Sequence, residues 1–345
     1  MQLVICAIYS MSMWIFSAYA MQTHTQTRWK PEELLVYAQE NDLRLPKYNY
    51  TIQQNGKNVL QARSTLNHHG ACFDPEDPIS KSFMADIADH RARKTSTSIS
   101  TCVLEIGCGM GLLAKKVLAS SAIRYDGNEP DYDNFYYVGL DLSKEHLAIA
   151  TQEIAKFKKH EDFFMGVWDP YEGKFPYVSF GEETFTHIGA FHVGHFWTDE
   201  ECIQSLKTFE SLLMPDGKAY ILMGNPHTQV YGPIPSLIYD VRKFFGTEFA
   251  GYVEDVPKIA EQLATMGLVP KEQIESPTFK EQIADHYLFV TPEDLCSLVK
   301  KHTALNIVYS GTINMHQGDK IMVHTGVIVK KESNYTVTDY LNSKK

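Results

Sequence analysis

The sequence predicts an α/β fold built on one mostly parallel sheet, and three features predict it. From Cys102 onward short apolar runs alternate with amphipathic helical stretches, a glycine-rich turn separates the first run from the first helix, and the second run ends in an aspartate. Strands that alternate with helices are joined by crossovers, and crossovers leave neighbouring strands parallel. With 345 residues and 44% hydrophobic content the chain is long enough to bury a full core around such a sheet.

Residues 21–100 read as a helical N-terminal extension. Pro31 opens a helix through Glu40 with Leu34, Leu35 and Ala38 on one face; proline costs nothing there, because the first amide of a helix has no intrahelical partner. Asp77 caps a second helix, with Pro78 just inside and Ile79, Phe83, Met84, Ile87 and Ala88 at helical spacing. Thr95-Ser96-Thr97-Ser98 is a polar linker.

The α/β domain covers residues 101–331. Its strands are Cys102–Ile106, Tyr137–Leu140, Phe163–Val167, Thr186–Ala190 and Ala219–Met223; helices Leu112–Ala119 and Lys144–Phe157 follow the first two. Thr198 and Glu201 form a capping box for a helix to Leu213, and Met214-Pro215-Asp216-Gly217 turns that helix into the fifth strand. Residues 225–290 then break the alternation with Pro226, Pro233, Pro235, many aromatics, a helix at Pro257–Met266 and no strand. An excursion of this length inside a domain serves as a lid or binding element, here a cap. Thr291-Pro292 caps a helix to Lys301, Leu305–Tyr309 and Ile321–Val329 close as a β-hairpin, and residues 332–345 are a polar tail.

The net charge of -10 argues against nucleic acid as a partner, since such binding depends on Lys and Arg neutralising phosphates. Leu3–Ala20 is uncharged, mostly apolar, and ends in Ala18-Tyr19-Ala20, like a cleavage site. It has no basic n-region, however, and Met21 opens an ordinary polar stretch. Two readings of residues 1–20 stand side by side: an export signal or anchor, or a start assigned upstream of Met21. Membrane contact is expected only if this segment is retained. Of the six cysteines, Cys6 would leave with a cleaved leader and the other five cannot all pair, which favours a reducing compartment. His68, His69 and Cys72 lack a second cluster to complete a metal site, and no metal is expected.

The chemistry concentrates in Glu105-Ile106-Gly107-Cys108-Gly109-Met110-Gly111, between a strand and a helix. Glycines there permit a tight turn with positive φ and let backbone approach a nucleoside closely. Asp141 ends the second strand, where a carboxylate can accept hydrogen bonds from both hydroxyls of a ribose; the alternative is a residue of the helix N-cap region, next to Ser143.

These motifs resemble those of class I S-adenosylmethionine-dependent methyltransferases, and the resemblance covers most of residues 77–331. It implies a Rossmann-like, seven-stranded, mostly parallel sheet of order 3-2-1-4-5-7-6, with the terminal hairpin as its antiparallel pair. The implied cofactor is S-adenosyl-L-methionine: Glu105 stands near its amino group, Gly107, Cys108, Gly109 and Gly111 line it, Asp141 takes the ribose, Asp169 holds the adenine amino group, and Leu142 and Trp168 are further cofactor-binding residues. Leu213–Lys218 resembles the family's "LKPGG" turn, with Asp216 in place of a glycine, and an acidic, aromatic insertion at Tyr125–Tyr136 lengthens the path to Asp141. A dinucleotide oxidoreductase would place a third glycine where Leu112 stands.

In this family the residues after the fourth strand face the methyl group. Here Phe191 borders the cofactor, and His192 is the expected base or acceptor-orienting group, with His195 as substitute; the competing reading makes both histidines packing residues. Asn225-Pro226 follows the fifth strand, not the fourth, and reads as a strand end. Tyr231, Tyr239, Phe244, Phe245, Phe249 and Tyr252 line either an acceptor pocket or the core of the cap. The expected reaction is methyl transfer to an O or N nucleophile of a small molecule in the cytoplasm, where the cofactor is made. A protein side chain is the second acceptor class, and a catalytically inactive binding module the third reading.

Overall fold

The computed structural model describes residues 28–43, 53–54, 57–58, 77–92, 100–121, 135–141, 144–157, 163–166, 182–228, 234–267, 270–275, 286–317 and 320–333. Its centre is a mostly parallel Rossmann-like sheet. The strands are β1 (Arg28–Trp29), β2 (Thr101–Ile106), β3 (Phe135–Leu140), β4 (Phe163–Gly166), β5 (Phe185–Phe191), β6 (Leu213–Gly224), β7 (Asn306–Gln317) and β8 (Lys320–Lys330). They lie in the order β1-β4-β3-β2-β5-β6-β8-β7. From β4 across to β6 every neighbour is parallel, whereas β1 runs antiparallel to β4 and β8 runs antiparallel to both β6 and β7. The sheet thus has eight strands where seven were expected, because Arg28 and Trp29 pair with Gly166 and Met165 at one edge. The strand order reverses at β2, between β3 and β5, which opens a crevice at the carboxyl ends of these strands.

Strand side chains alternate between two apolar layers, as the period of two requires. Val103, Tyr137, Tyr220 and Leu222 pack with helices α1 (Pro31–Glu40), α2 (Pro78–Ala92), α3 (Leu112–Ser121) and α4 (Lys144–Ile154). Leu104, Ile106, Val138, Ile188 and Ile221 pack on the other face with α5 (Asp199–Leu212) and the late helix Pro292–His302. Each side chain so buried contributes roughly 1.5–3 kcal/mol.

The anticipated caps form: Asp77 Oδ1 accepts from the amides of Ile79 and Ser80, Thr198 and Glu201 close a capping box, and Thr291 accepts from the amide of Asp294. The extension is bound into the body by polar contacts as well. Tyr37 donates its hydroxyl to Glu145 (3.0 Å) beneath the Lys144 ammonium, while Asp86 of α2 accepts from Lys218 (2.7 Å) and from the Tyr220 hydroxyl.

Several boundaries differ from expectation for local reasons. Phe135 and Tyr136 belong to β3 and not to an insertion, because β3 pairs with β2 from Thr101 onward; Tyr125–Asn134 lie outside the described residues. β6 starts at Leu213 rather than Ala219, since the Met214–Gly217 turn is an irregularity within a paired strand. There Asp216 adopts φ 67°, the left-handed conformation a glycine would take, and its amide bonds to the Lys331 carbonyl (2.9 Å). The hairpin strands run on to Gln317 and Lys330.

Within the cap, three helices are described, α6 (Ile234–Phe244), α7 (Val256–Thr265) and α8 (Lys271–Glu275). The expectation of no strand is corrected by a two-residue pair, Tyr252–Val253 with Tyr287–Leu288. The cap is anchored by Tyr239, which donates to Asp294 (2.6 Å), and by the Val290 amide, which bonds to the Gly224 carbonyl (3.1 Å). Tyr239 is buried, but Phe244 is 84% exposed and lines neither a pocket nor a core; Tyr231 is outside the described residues. Among the described residues no helix is long and apolar enough to cross a membrane, and residues 1–20 are not among them.

Candidate cofactor and acceptor site

After β2 the chain turns through Gly107 (φ 68°), Gly109 (φ 52°) and Gly111 (φ 72°), which only glycine adopts readily. The three differ in what surrounds them. A Cβ on Gly107 would stand 2.9 Å from the side chain of Val193, and one on Gly111 would stand 3.0 Å from Ala150, so both serve internal packing. A Cβ on Gly109 would meet nothing within 4 Å. The Gly109 backbone is therefore the part of the turn open to a ligand.

Asp141, at the end of β3, is buried and accepts the Gly109 amide at its Oδ2 (2.9 Å), while His146 Nδ1 stands 3.3 Å from its Oδ1. A carboxylate offers about four lone-pair positions and can serve several donors at once. The Cys108 amide bonds to the Leu140 carbonyl (2.9 Å), a second tie between turn and strand. Burial pushes the Cys108 thiol well above its usual range, which makes it a lining group and not a nucleophile.

Glu105, on the last turn-facing stretch of β2, is 5% exposed and accepts a hydrogen bond from the Tyr137 hydroxyl (2.7 Å). Burial, with the Asp141 charge adding to it, pushes its carboxyl up to about 8 against the partial relief that Tyr137 supplies. The folded protein thus holds a neutral Glu105 at pH 7. Because the folded value lies above the unfolded one, the stability this proton confers is complete at low pH and is lost as pH rises through about 8. Thermal melts of the ligand-free protein should fall between pH 6 and pH 9, and Glu105→Gln should flatten that fall by at least about 3 °C. Parallel pH dependence in the two proteins would show Glu105 ionised throughout.

At the neighbouring strand end β5 closes at Phe191, whose ring lies over Gly189 and meets Phe83 of α2 edge to face (5.3 Å between centroids). His192 follows with φ 54°, a left-handed conformation that costs a residue with a Cβ roughly 1–2 kcal/mol, and its amide bonds to the Leu222 carbonyl (2.7 Å). Its ring is buried and stands edge to face on His324 (4.6 Å, 81°). His195, in the short turn Gly194–Phe196, packs instead on Phe196 and on Tyr287 of the cap. Asn225 follows β6, donating to Thr325 (3.0 Å) and accepting from the His227 amide (3.0 Å).

The structure thus brings Glu105, Gly107, Cys108, Gly109, Gly111 and Asp141 together and places His192 at the end of the neighbouring strand. Leu142, Trp168 and Asp169 lie outside the described residues, as do His68, His69 and Cys72. Among the described residues no group of three or more His, Cys, Asp or Glu side chains is arranged to hold a metal. Sequence reading missed Tyr137, His146 and His324. Tyr137 carried a signal, as a polar group two residues into an apolar strand beside the glycine turn; His324 carried none.

No family model and no curated protein matches the chain. Solved structures do. A S-adenosylmethionine-dependent methyltransferase from Methanosarcina mazei aligns at 14% identity over 68% of this chain and 93% of its own, with a TM-score of 0.44. The N-methyltransferase NodS from Bradyrhizobium japonicum, in complex with S-adenosylhomocysteine, aligns at 12% identity over 78% and 97%, with a TM-score of 0.40. Magnesium protoporphyrin IX methyltransferase from Synechocystis, also with S-adenosylhomocysteine, aligns at 13% identity over 73% and 82%, with a TM-score of 0.41.

Proposed function

We propose that this protein is a S-adenosylmethionine-dependent methyltransferase acting on an oxygen or nitrogen nucleophile of a small molecule. The observation that carries this reading is the Gly109 turn: an open backbone position tied to a buried carboxylate at the next strand end, with a second buried carboxyl beside it. That donor set fits the cofactor. Asp141 accepts from ribose hydroxyls, Gly109 lets the nucleoside approach its backbone, and Glu105 meets the amino group, a cation that favours loss of the Glu105 proton. When bound, the cofactor supplies an electrophilic methyl on a sulfonium. The protein's own work is then to align the acceptor, exclude water and, for a protonated acceptor, take its proton, the role assigned to His192.

A small acceptor is favoured by the cap, whose anchoring at Asp294 and Gly224 sets it beside the strand ends, together with the N-terminal helices. A protein side chain is the alternative. Cytoplasmic location is part of the proposal, because an exported copy would be separated from its co-substrate. Isothermal titration with S-adenosylhomocysteine, S-adenosylmethionine and NAD tests the cofactor: heat is expected with the two sulfur nucleosides and none with NAD. Binding of NAD alone would replace the proposal with an oxidoreductase.

A further inference from the structure

We propose that His324 is a further residue of the acceptor site, where its imidazole hydrogen-bonds an acceptor bearing a neutral hydroxyl or amine. This rests on the methyltransferase reading. His324 lies opposite Gly224 in the antiparallel pairing of β8 with β6, so the topology carries it to the same sheet edge as the carboxyl ends of β2, β3 and β5. Only 4% of it is exposed, and neither ring nitrogen completes a well-formed hydrogen bond among the described residues, although the Met223 carbonyl lies close enough to act on the ring. A buried polar group in that condition calls for an explanation, and at a ligand-binding edge the explanation is a ligand. The ring of His192, which follows β5 on a strained backbone, stands edge to face on His324.

The class of acceptor follows from the charge state. Burial lowers the His324 ring to about 4, outweighing the nearby Met223 carbonyl, so at pH 7 the ring is neutral, with one N–H to give and one lone pair to accept. A hydroxyl or amine can both give and accept and so satisfies either tautomer. A carboxylate only accepts, and its burial needs a cation that a neutral imidazole does not supply.

Diethyl pyrocarbonate tests this on the full chain, since it acylates an accessible unprotonated imidazole nitrogen. His187 is an internal control: equally buried, pushed by burial to about 3, and bonded to Thr186 within the sheet. With S-adenosylhomocysteine present at pH 7, mass spectrometry should show His324 acylated at least about tenfold faster than His187, which reacts only through local opening. Phenol should slow the His324 reaction and benzoate should not. A rate equal to that of His187 would make His324 a packing residue, and protection by benzoate alone or by neither probe would overturn the neutral acceptor. Failure of the methyltransferase reading shows separately, as absence of S-adenosylhomocysteine binding in titration of the same protein.

Discussion

Gly109→Val should abolish S-adenosylhomocysteine binding while Gly246→Val leaves it within about twofold. Both glycines adopt positive φ, 52° and 74°, and at both a new Cβ would enter open space. A β-branched residue therefore suffers similar backbone strain at either position, on the order of 1–2 kcal/mol. The positions differ in what the open space is for. Gly246 follows α6 at the surface of the cap, where its amide and that of Thr247 satisfy the last helical carbonyls, Lys243 and Arg242. On the proposed function Gly109 stands where a nucleoside passes close to backbone, and an isopropyl group there would occupy the ligand's own volume. Circular dichroism and titration calorimetry on the two variants separate strain from occlusion. Equal binding losses in both would mean that strain alone acts, and retained binding in Gly109→Val would move the ligand off the turn.

The second large effect concerns His192. With an acceptor that arrives protonated, His192→Ala should lower kcat by about 10²- to 10⁴-fold with cofactor affinity unchanged, since the loss falls on the transition state. His192→Gly is the informative companion. Glycine accepts φ 54° without strain, so a backbone role for this position predicts that Gly outperforms Ala, whereas an imidazole role predicts that both fail alike. Single-turnover rates at saturating acceptor decide the matter; near-wild-type turnover in both variants would leave positioning alone as the source of catalysis.

What could be read from the sequence was what local chemistry dictates. Asp77, Thr198 and Thr291 satisfy amides two or three residues away, and each helix start was legible for that reason. The Glu105–Gly111 turn and Asp141 were legible because strand, turn and helix specify one another over a short stretch. What escaped was set by distant pairing. Arg28–Trp29 is too short to show a period, and only its neighbour Met165–Gly166 makes it a strand. Met214–Gly217 has turn composition, yet the carbonyl and amide of Lys331 hold its flanks in the sheet. His324 sits in an apolar hairpin strand, and nothing near it in sequence says that Gly224 and His192 will be its neighbours. Phe244 shows the opposite error: as one of the cap aromatics it was expected in a pocket or a core, and helix α6 turns it outward.

The bond from the Gly109 amide to Asp141 gives that aspartate two duties at once. The carboxylate that would hold a nucleoside also fastens the turn the nucleoside rests on, so a replacement at 141 changes ligand contact and turn shape together. A position under such double constraint offers little room for gradual adjustment. Variation that retargets a protein of this build is therefore channelled to the other side of the crevice, into the cap, where a side chain can change without loosening the cradle.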